Sequence, residues 1–247
     1  MGTLERNEGY EWTSEGVRSF SKIEWGITEQ ANGVVGIIVN APGGILTGKQ
    51  LRVIYEIVGE DGVVKNSRRM TQVLLVPRER VGEALEKLKE VNLRVANLHS
   101  SVRNIVACPG KGLSTHSRGD TLELAAALDQ EFYGTVLPWD FKIGISGCPR
   151  NCAGVHCHDV GLMAEPRGKY SLWIGGTESG MTPKHGELLR KGIPRDEVAE
   201  VIRRILEEYA ELGEKHQEEL GNRIRLYRVI KKVGLEHFRK AIEQVLE

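Results

Sequence analysis

The 247-residue chain has no excess of charge of either sign, with 34 Lys and Arg against 34 Asp and Glu. Nothing global therefore calls for a nucleic acid or an anionic membrane as partner. It has no apolar run near the roughly 20 residues that cross a bilayer. The first residues, Met1-Gly-Thr-Leu-Glu-Arg-Asn-Glu8, lack the apolar stretch of a signal peptide, so a cytoplasmic protein is the default expectation. There is no internal repeat and no low-complexity tract. Cysteine is scarce: four in this length do not make a disulfide scaffold, and in a reducing compartment they serve better as ligands or buried thiols. What is present is 40% apolar residues, enough for a core in one large domain or two small ones.

The pattern along the chain predicts α+β architecture. Residues 1–20 are polar and read as an N-terminal arm. Gly33 to Asn40 is a β-branched strand, closed by Ala41-Pro-Gly-Gly44. Thr47 is placed to cap a helix to about Val58, with Leu51, Ile54 and Tyr55 on one face. Met70 to Val76 is a second strand, Val81 to Val91 an amphipathic helix, and Val102 to Ala107 a third extended stretch. Residues 21–105 thus form one α+β layer unit, and 106–247 a second, α/β unit. In the second, Thr121 to Tyr133 reads as helix. Phe141 to Ile145, Val160 to Ala164 and Tyr170 to Ile174 read as strands. Pro194 to Leu212 and Arg223 to Leu246 read as charged amphipathic helices.

Three cysteines carry the chemical signal. Cys108 sits in Arg-Asn-Ile-Val-Ala-Cys-Pro-Gly, and Cys148 and Cys152 in Ser-Gly-Cys-Pro-Arg-Asn-Cys. Proline suits the first position of a helix, and glycine lets backbone approach a bulky inorganic core. Thiolates ligating a cluster also favour N–H donors and a helix N-terminus. If helical, Cys148-x3-Cys152 puts both thiols on one face. Spacing alone leaves an iron–sulfur cluster, a zinc ion and two buried thiols open.

The flanking residues are more specific. Ser101-Val-Arg-Asn-Ile-Val-Ala-Cys-Pro-Gly110 resembles the first cluster motif of the sulfite/nitrite reductase family. Phe141-Lys-Ile-Gly-Ile-Ser-Gly-Cys-Pro-Arg-Asn-Cys-Ala153 with Asp159-Val-Gly-Leu-Met-Ala164 resembles the second. Upstream, Gly44 to Leu51 and Asn66 to Leu75 resemble the family's ferredoxin-like half-domain. Downstream, Arg225 to Phe238 resembles its closing helices.

The resemblance implies a reductase of sulfite or nitrite that carries siroheme beside a [4Fe–4S] cluster. Cys108, Cys148 and Cys152 would ligate the cluster, with Cys152 also bridging to the siroheme iron. Arg68, Arg103 and Lys142 would face the substrate anion. Arg68 and Arg103, with Asn104 and Asn151 of the same motifs, would also serve the cofactor. Electrons would come from a ferredoxin or a flavoprotein.

Three departures accompany the likeness. Ser114 stands where the family has a fourth cysteine, and Cys157, in Val155-His-Cys-His-Asp159, lies outside the pattern. Either is a candidate fourth ligand. Asp140 stands where the family has a second lysine, and would repel an anion if it points inward. The chain holds a single copy of a unit that family enzymes duplicate, which suggests a homodimer or a partner subunit. Two other readings follow: a non-catalytic electron-transfer or tetrapyrrole-binding relative, and a zinc-stabilised protein using Cys148, Cys152, Cys157 and His156.

Overall fold

A computed structural model describes residues 17–20, 26–30, 33–96, 99–178 and 183–246. Most of the expected N-terminal arm, and the end of the Gly175–Gly180 loop, lie outside these residues. The described residues fall into two compact units that part between Ala96 and His99.

The first unit is a six-stranded antiparallel sheet with two helices. Its strands are β1 (Val17–Phe20), β2 (Ile27–Gln30), β3 (Val34–Asn40), β4 (Val64–Asn66), β5 (Thr71–Pro77) and β6 (Arg94–Val95), with α1 (Gly48–Val58) after β3 and α2 (Val81–Glu90) after β5. Strand β3 lies at the centre, with β5 and then β4 on one side and both β2 and β6 on the other. The order β6-β3-β5-β4 is that of a ferredoxin-like β-α-β-β-α-β unit. β1 and β2 extend it, so residues 17–20 are sheet and not arm.

Thr47 caps α1 as expected. Its hydroxyl accepts from the Gln50 N–H at 3.2 Å, and the Gln50 side chain accepts the Thr47 N–H at 2.9 Å. The buried face of α1 differs from the expected one. Ile54, Ile57 and Val58 enter the core with Ile37, Leu74 and Leu88, whereas Leu51 and Tyr55 stand exposed. The same three-and-four spacing holds three residues further along: Ile54 belongs to both faces, and Ile57 and Val58 take the buried places expected of Leu51 and Tyr55.

The second unit is built on a five-stranded sheet of β7 (Val106–Ala107), β8 (Ile143–Ser146), β9 (Val160–Glu165), β10 (Lys169–Ile174) and β11 (Glu187–Pro194) in sequential order. β7, β8 and β9 are parallel, and β10 and β11 are antiparallel to their neighbours. Helix α3 (Thr121–Phe132) links β7 to β8. Helices α4 (Val198–Lys215), α5 (Gln217–Leu220), α6 (Leu226–Val233) and α7 (Leu235–Glu243) close the chain.

The stretch expected to end the first unit therefore opens the second: only Val106 and Ala107 are strand, and they pair with Gly144 and Ile145. The single terminal helix expected over 223–246 is two. Gly234, at φ +89°, breaks it, a conformation that side-chain-bearing residues rarely adopt. Phe141, Tyr170, Tyr209 and Phe238 are fully buried in the core beneath this sheet.

Candidate functional site

Ligands of α/β sheets gather outside the carboxyl ends of parallel strands. Here those ends carry cysteine. Cys108 directly follows β7, and Cys148 follows β8 after Gly147. The Cys108 N–H donates to the Ile145 carbonyl at 3.0 Å, extending the β7–β8 ladder to the thiol.

Cys108 is buried. Its Sγ accepts the Gly147 N–H at 3.1 Å. Its carbonyl accepts from the Thr121 hydroxyl at 2.6 Å, and that hydroxyl lies 3.7 Å from Sγ. Thr121 is the first residue of α3, whose N-cap Asp120 accepts the Glu123 N–H at 3.1 Å. The thiol thus sits by a backbone N–H and the start of a helix.

Cys148 and Cys152 do not share a helix face. The segment after β8 is a run of turns: the Asn151 N–H donates to Cys148 O at 3.1 Å, and the Gly154 N–H to Asn151 O at 2.9 Å. Asn151 has φ +54°, which asparagine tolerates better than most residues. Its Oδ1 accepts the Val155 N–H at 2.7 Å and the Ser146 hydroxyl at 3.4 Å, while Ser146 Oγ accepts the Ala153 N–H at 3.1 Å. These bonds shape the loop that presents Cys152, which is exposed, and Cys148, which is half-buried. Sequence reasoning placed Asn151 at the cofactor but missed this loop-building role; an Asn two residues before Ala-Gly was the available signal.

Ser114 lies on the Cys108 loop, where its N–H donates to Gly110 O at 2.9 Å. Cys157 is half-buried at the end of a short 3-10 turn, Val155–Cys157. Of its neighbours, His158 is buried with Nδ1 2.8 Å from Gly154 O. His156 packs its ring edge against Trp173 at 4.9 Å. Burial, and then the nearby His185, hold its imidazole below the usual histidine range, so the ring favours the neutral form.

Among the described residues, no three His, Cys, Asp or Glu side chains gather closely enough to hold one metal ion. Zinc would draw Cys148, Cys152, Cys157 and His156 to within about 2.3 Å of a point. A cluster spreads its thiolates over the corners of a larger core, so the cysteines fit that group in donor type. Gly147 lets the two cysteine-bearing loops pack closely: a Cβ there would stand 1.9 Å from Ser117 Oγ and 3.5 Å from Cys108 Sγ.

The cationic residues divide between the units. Arg68 is exposed in the β4–β5 turn. Ser67 ties that turn: its Oγ accepts the Arg69 N–H at 3.1 Å and lies 2.6 Å from Thr71 Oγ1. In the second unit, Arg103 lies 3.3 Å from the buried Asp140. Lys142 and Asn104 are buried. The Lys142 backbone is pinned at both ends, its N–H donating to Asp159 Oδ2 at 3.0 Å and its carbonyl accepting the Val160 N–H at 3.0 Å. In sequence Asp159 is one residue of the second motif; in the fold its buried carboxylate anchors the Lys142 backbone N–H.

Residues 99–247 match the family described as nitrite and sulphite reductase 4Fe-4S domain. The chain belongs to the nitrite and sulphite reductase family. It is 32% identical over 162 residues to an assimilatory-type sulfite reductase of Nitratidesulfovibrio vulgaris, covering 65% of this chain and 70% of that one. It is 33% identical over 140 residues to a coenzyme F420-dependent sulfite reductase of Methanocaldococcus jannaschii, covering 56% and 23%. It is 26% identical over 192 residues to an NAD(P)H nitrite reductase of Emericella nidulans, covering 76% of this chain but 17% of that protein. The fold is shared with the Mycobacterium tuberculosis NirA protein, at TM-score 0.73 and 22% identity over 86% of this chain and 40% of that one. It is also shared with dissimilatory sulfite reductase I, at TM-score 0.73 and 16% identity over 96% and 77%. Among the described residues no helix is long and apolar enough to cross a membrane.

Proposed function

We propose that the chain is a siroheme and iron–sulfur dependent reductase of a small oxyanion, sulfite or nitrite. The observation that carries this reading is the placement of Cys108 and of the Cys148–Cys152 turn at the carboxyl ends of β7 and β8, with an N–H already on the Cys108 sulfur. Cys108, Cys148 and Cys152 are the proposed cluster ligands, with Ser114 or Cys157 as the fourth. Cys152 would also help to hold siroheme.

When bound, siroheme and the cluster would supply the redox chemistry. The protein's own part is to bind the anion and to bring protons. Arginine grips an oxyanion bidentately, and lysine offers a compact, proton-bearing charge. Arg68, Arg103 and Lys142 are proposed in these roles, with Asn104 and Asn151 on the cofactor side. The electron donor is proposed to be a ferredoxin or a flavoprotein. The single copy is proposed to work as a homodimer or beside a partner subunit, in the cytoplasm.

Anaerobically purified protein should show siroheme bands with iron and acid-labile sulfide, and oxidise reduced viologen when sulfite or nitrite is added. Absence of the bands, the iron and the sulfide would reject the reading. A second reading is favoured by the Arg103–Asp140 pair, which engages a cation otherwise available to substrate. In it the chain is a cofactor-bearing electron-transfer relative. Loaded protein without viologen turnover would support it.

A further inference from the structure

Arg103 has a counter-ion built into the fold. The segment from Ser101 to Arg103 pairs with that from Val136 to Phe141: Val102 bridges Phe141, and Ser101 bridges Val136. The Phe141 N–H donates to Ser101 O at 3.0 Å, and the Arg103 N–H to Phe141 O at 2.9 Å. This register sets Asp140, next to Phe141, beside the Arg103 side chain. Arg103 Nη1 lies 3.3 Å from Asp140 Oδ2, and His99 Nδ1 lies 3.6 Å from Asp140 Oδ1. Asp140 is 6% exposed, so water screens the pair poorly. The arrangement is braced from the adjacent Trp139, whose ring lies 5.9 Å from that of His99 and 5.8 Å from the Arg223 guanidinium. On the other side of Phe141 stands Lys142, also buried.

An ion pair presents a weaker field to a third charge than the cation alone. Coulomb energy scales with the product of charges, so a doubly charged anion loses twice what a singly charged one loses. Resting on the reductase reading above, we propose that Asp140 is a charge-selecting and positioning residue. It holds Arg103 and offsets its charge, so that the site takes a singly charged oxyanion, nitrite, over a doubly charged one, sulfite.

The test uses cofactor-loaded protein and reads nitrite and sulfite Kd by optical titration, in buffer alkaline enough that sulfite is the dianion rather than singly charged hydrogen sulfite, comparing wild type with Asp140→Asn and Asp140→Glu. Asp140→Asn should raise sulfite affinity about tenfold more than nitrite affinity, and Asp140→Glu, which keeps the charge, should hold the wild-type ratio. An unchanged ratio in Asp140→Asn overturns the proposal. Should Asp140→Asn fail to fold, because it takes a carboxylate away from a half-buried guanidinium, wild type alone decides. Nitrate should then displace nitrite at about tenfold lower concentration than sulfate, and sulfate acting as well as nitrate overturns the idea. Protein that binds neither nitrite nor sulfite rejects the reductase reading itself, whereas binding of both with no charge preference rejects only the role given to Asp140.

Discussion

Gly147 is the tightest point of the cysteine-bearing edge, and replacing it with alanine isolates one physical effect. Its φ lies outside the left-handed region, so alanine meets no backbone strain there. The cost is one of space. The new methyl would stand 1.9 Å from Ser117 Oγ and 2.9 Å from Ser117 Cβ, where real contacts stop near 3.0 Å. Ser117 is not at liberty to swing away: its hydroxyl donates to Gly119 O at 2.8 Å, and the next N–H, of Arg118, donates to Gly147 O at 2.7 Å. The Gly147 N–H in turn holds the Cys108 sulfur at 3.1 Å. Relief therefore requires the loop after Cys108 or the peptide before Cys148 to shift. Forcing one extra methyl into a filled site costs about 1–3 kcal/mol.

Denaturant titration followed by tryptophan fluorescence, to which Trp139 and Trp173 of the second unit contribute, reads the loss, and iron and sulfide content read the consequence at the thiols. Gly147→Ala should lower both. Ser117→Gly removes both clashing atoms, so the double variant should recover most of the stability, with a coupling of about 0.5–3 kcal/mol. Wild-type stability in Gly147→Ala, or full loss persisting in the double variant, would refute the steric reasoning.

Thr121→Val keeps the shape but removes the donor to the buried Cys108 carbonyl, and should cost about 1–3 kcal/mol in the same titration. Asn151→Ala deletes the acceptor of the Val155 N–H and puts a Cβ-only residue at positive φ; a loss of about 2–4 kcal/mol and a lower iron content are expected. Gly234→Ala, at φ +89° between α6 and α7, should destabilise by more than about 1 kcal/mol while leaving iron per folded protein unchanged.

Elements with a local cause were legible in the sequence. Thr47 ahead of an apolar-periodic stretch announces the cap of α1, and the apolar residues of Thr121 to Tyr133 announce α3. The β-branched run at Val34–Asn40 and the short apolar run from Val160 to Ala164, bounded by polar residues, need only their own side chains to declare themselves. Strands that owe their existence to a partner were not legible. β6 is two residues long and is strand because Val39 and Asn40 offer it an edge. β11 is strand because β10 does, and its Leu-Leu-Arg-Lys-Gly-Ile carries no clear period. The stretch from Val102 to Ala107 looked like a strand of the first unit because apolar composition states that a segment is buried, not against which sheet.

The same distinction governs the candidate site. The cysteine motifs name a donor chemistry, since thiol, proline and glycine act through the residues beside them. Their shape is another matter. A spacing of four suggested one helix face for Cys148 and Cys152, but Asn151 at positive φ turns the chain between them, held by Ser146 and Val155. Turns of this kind are set by side chains reaching back across several residues, which periodicity does not register. Charge is harder still. Asp140 against Arg103 is a pairing between residues 37 apart in the chain. From sequence, Asp140 is an anion where a cation was expected, and it suggests repulsion. In the fold it is the partner of the arginine, a pairing that only the register between Val102 and Phe141 brings about.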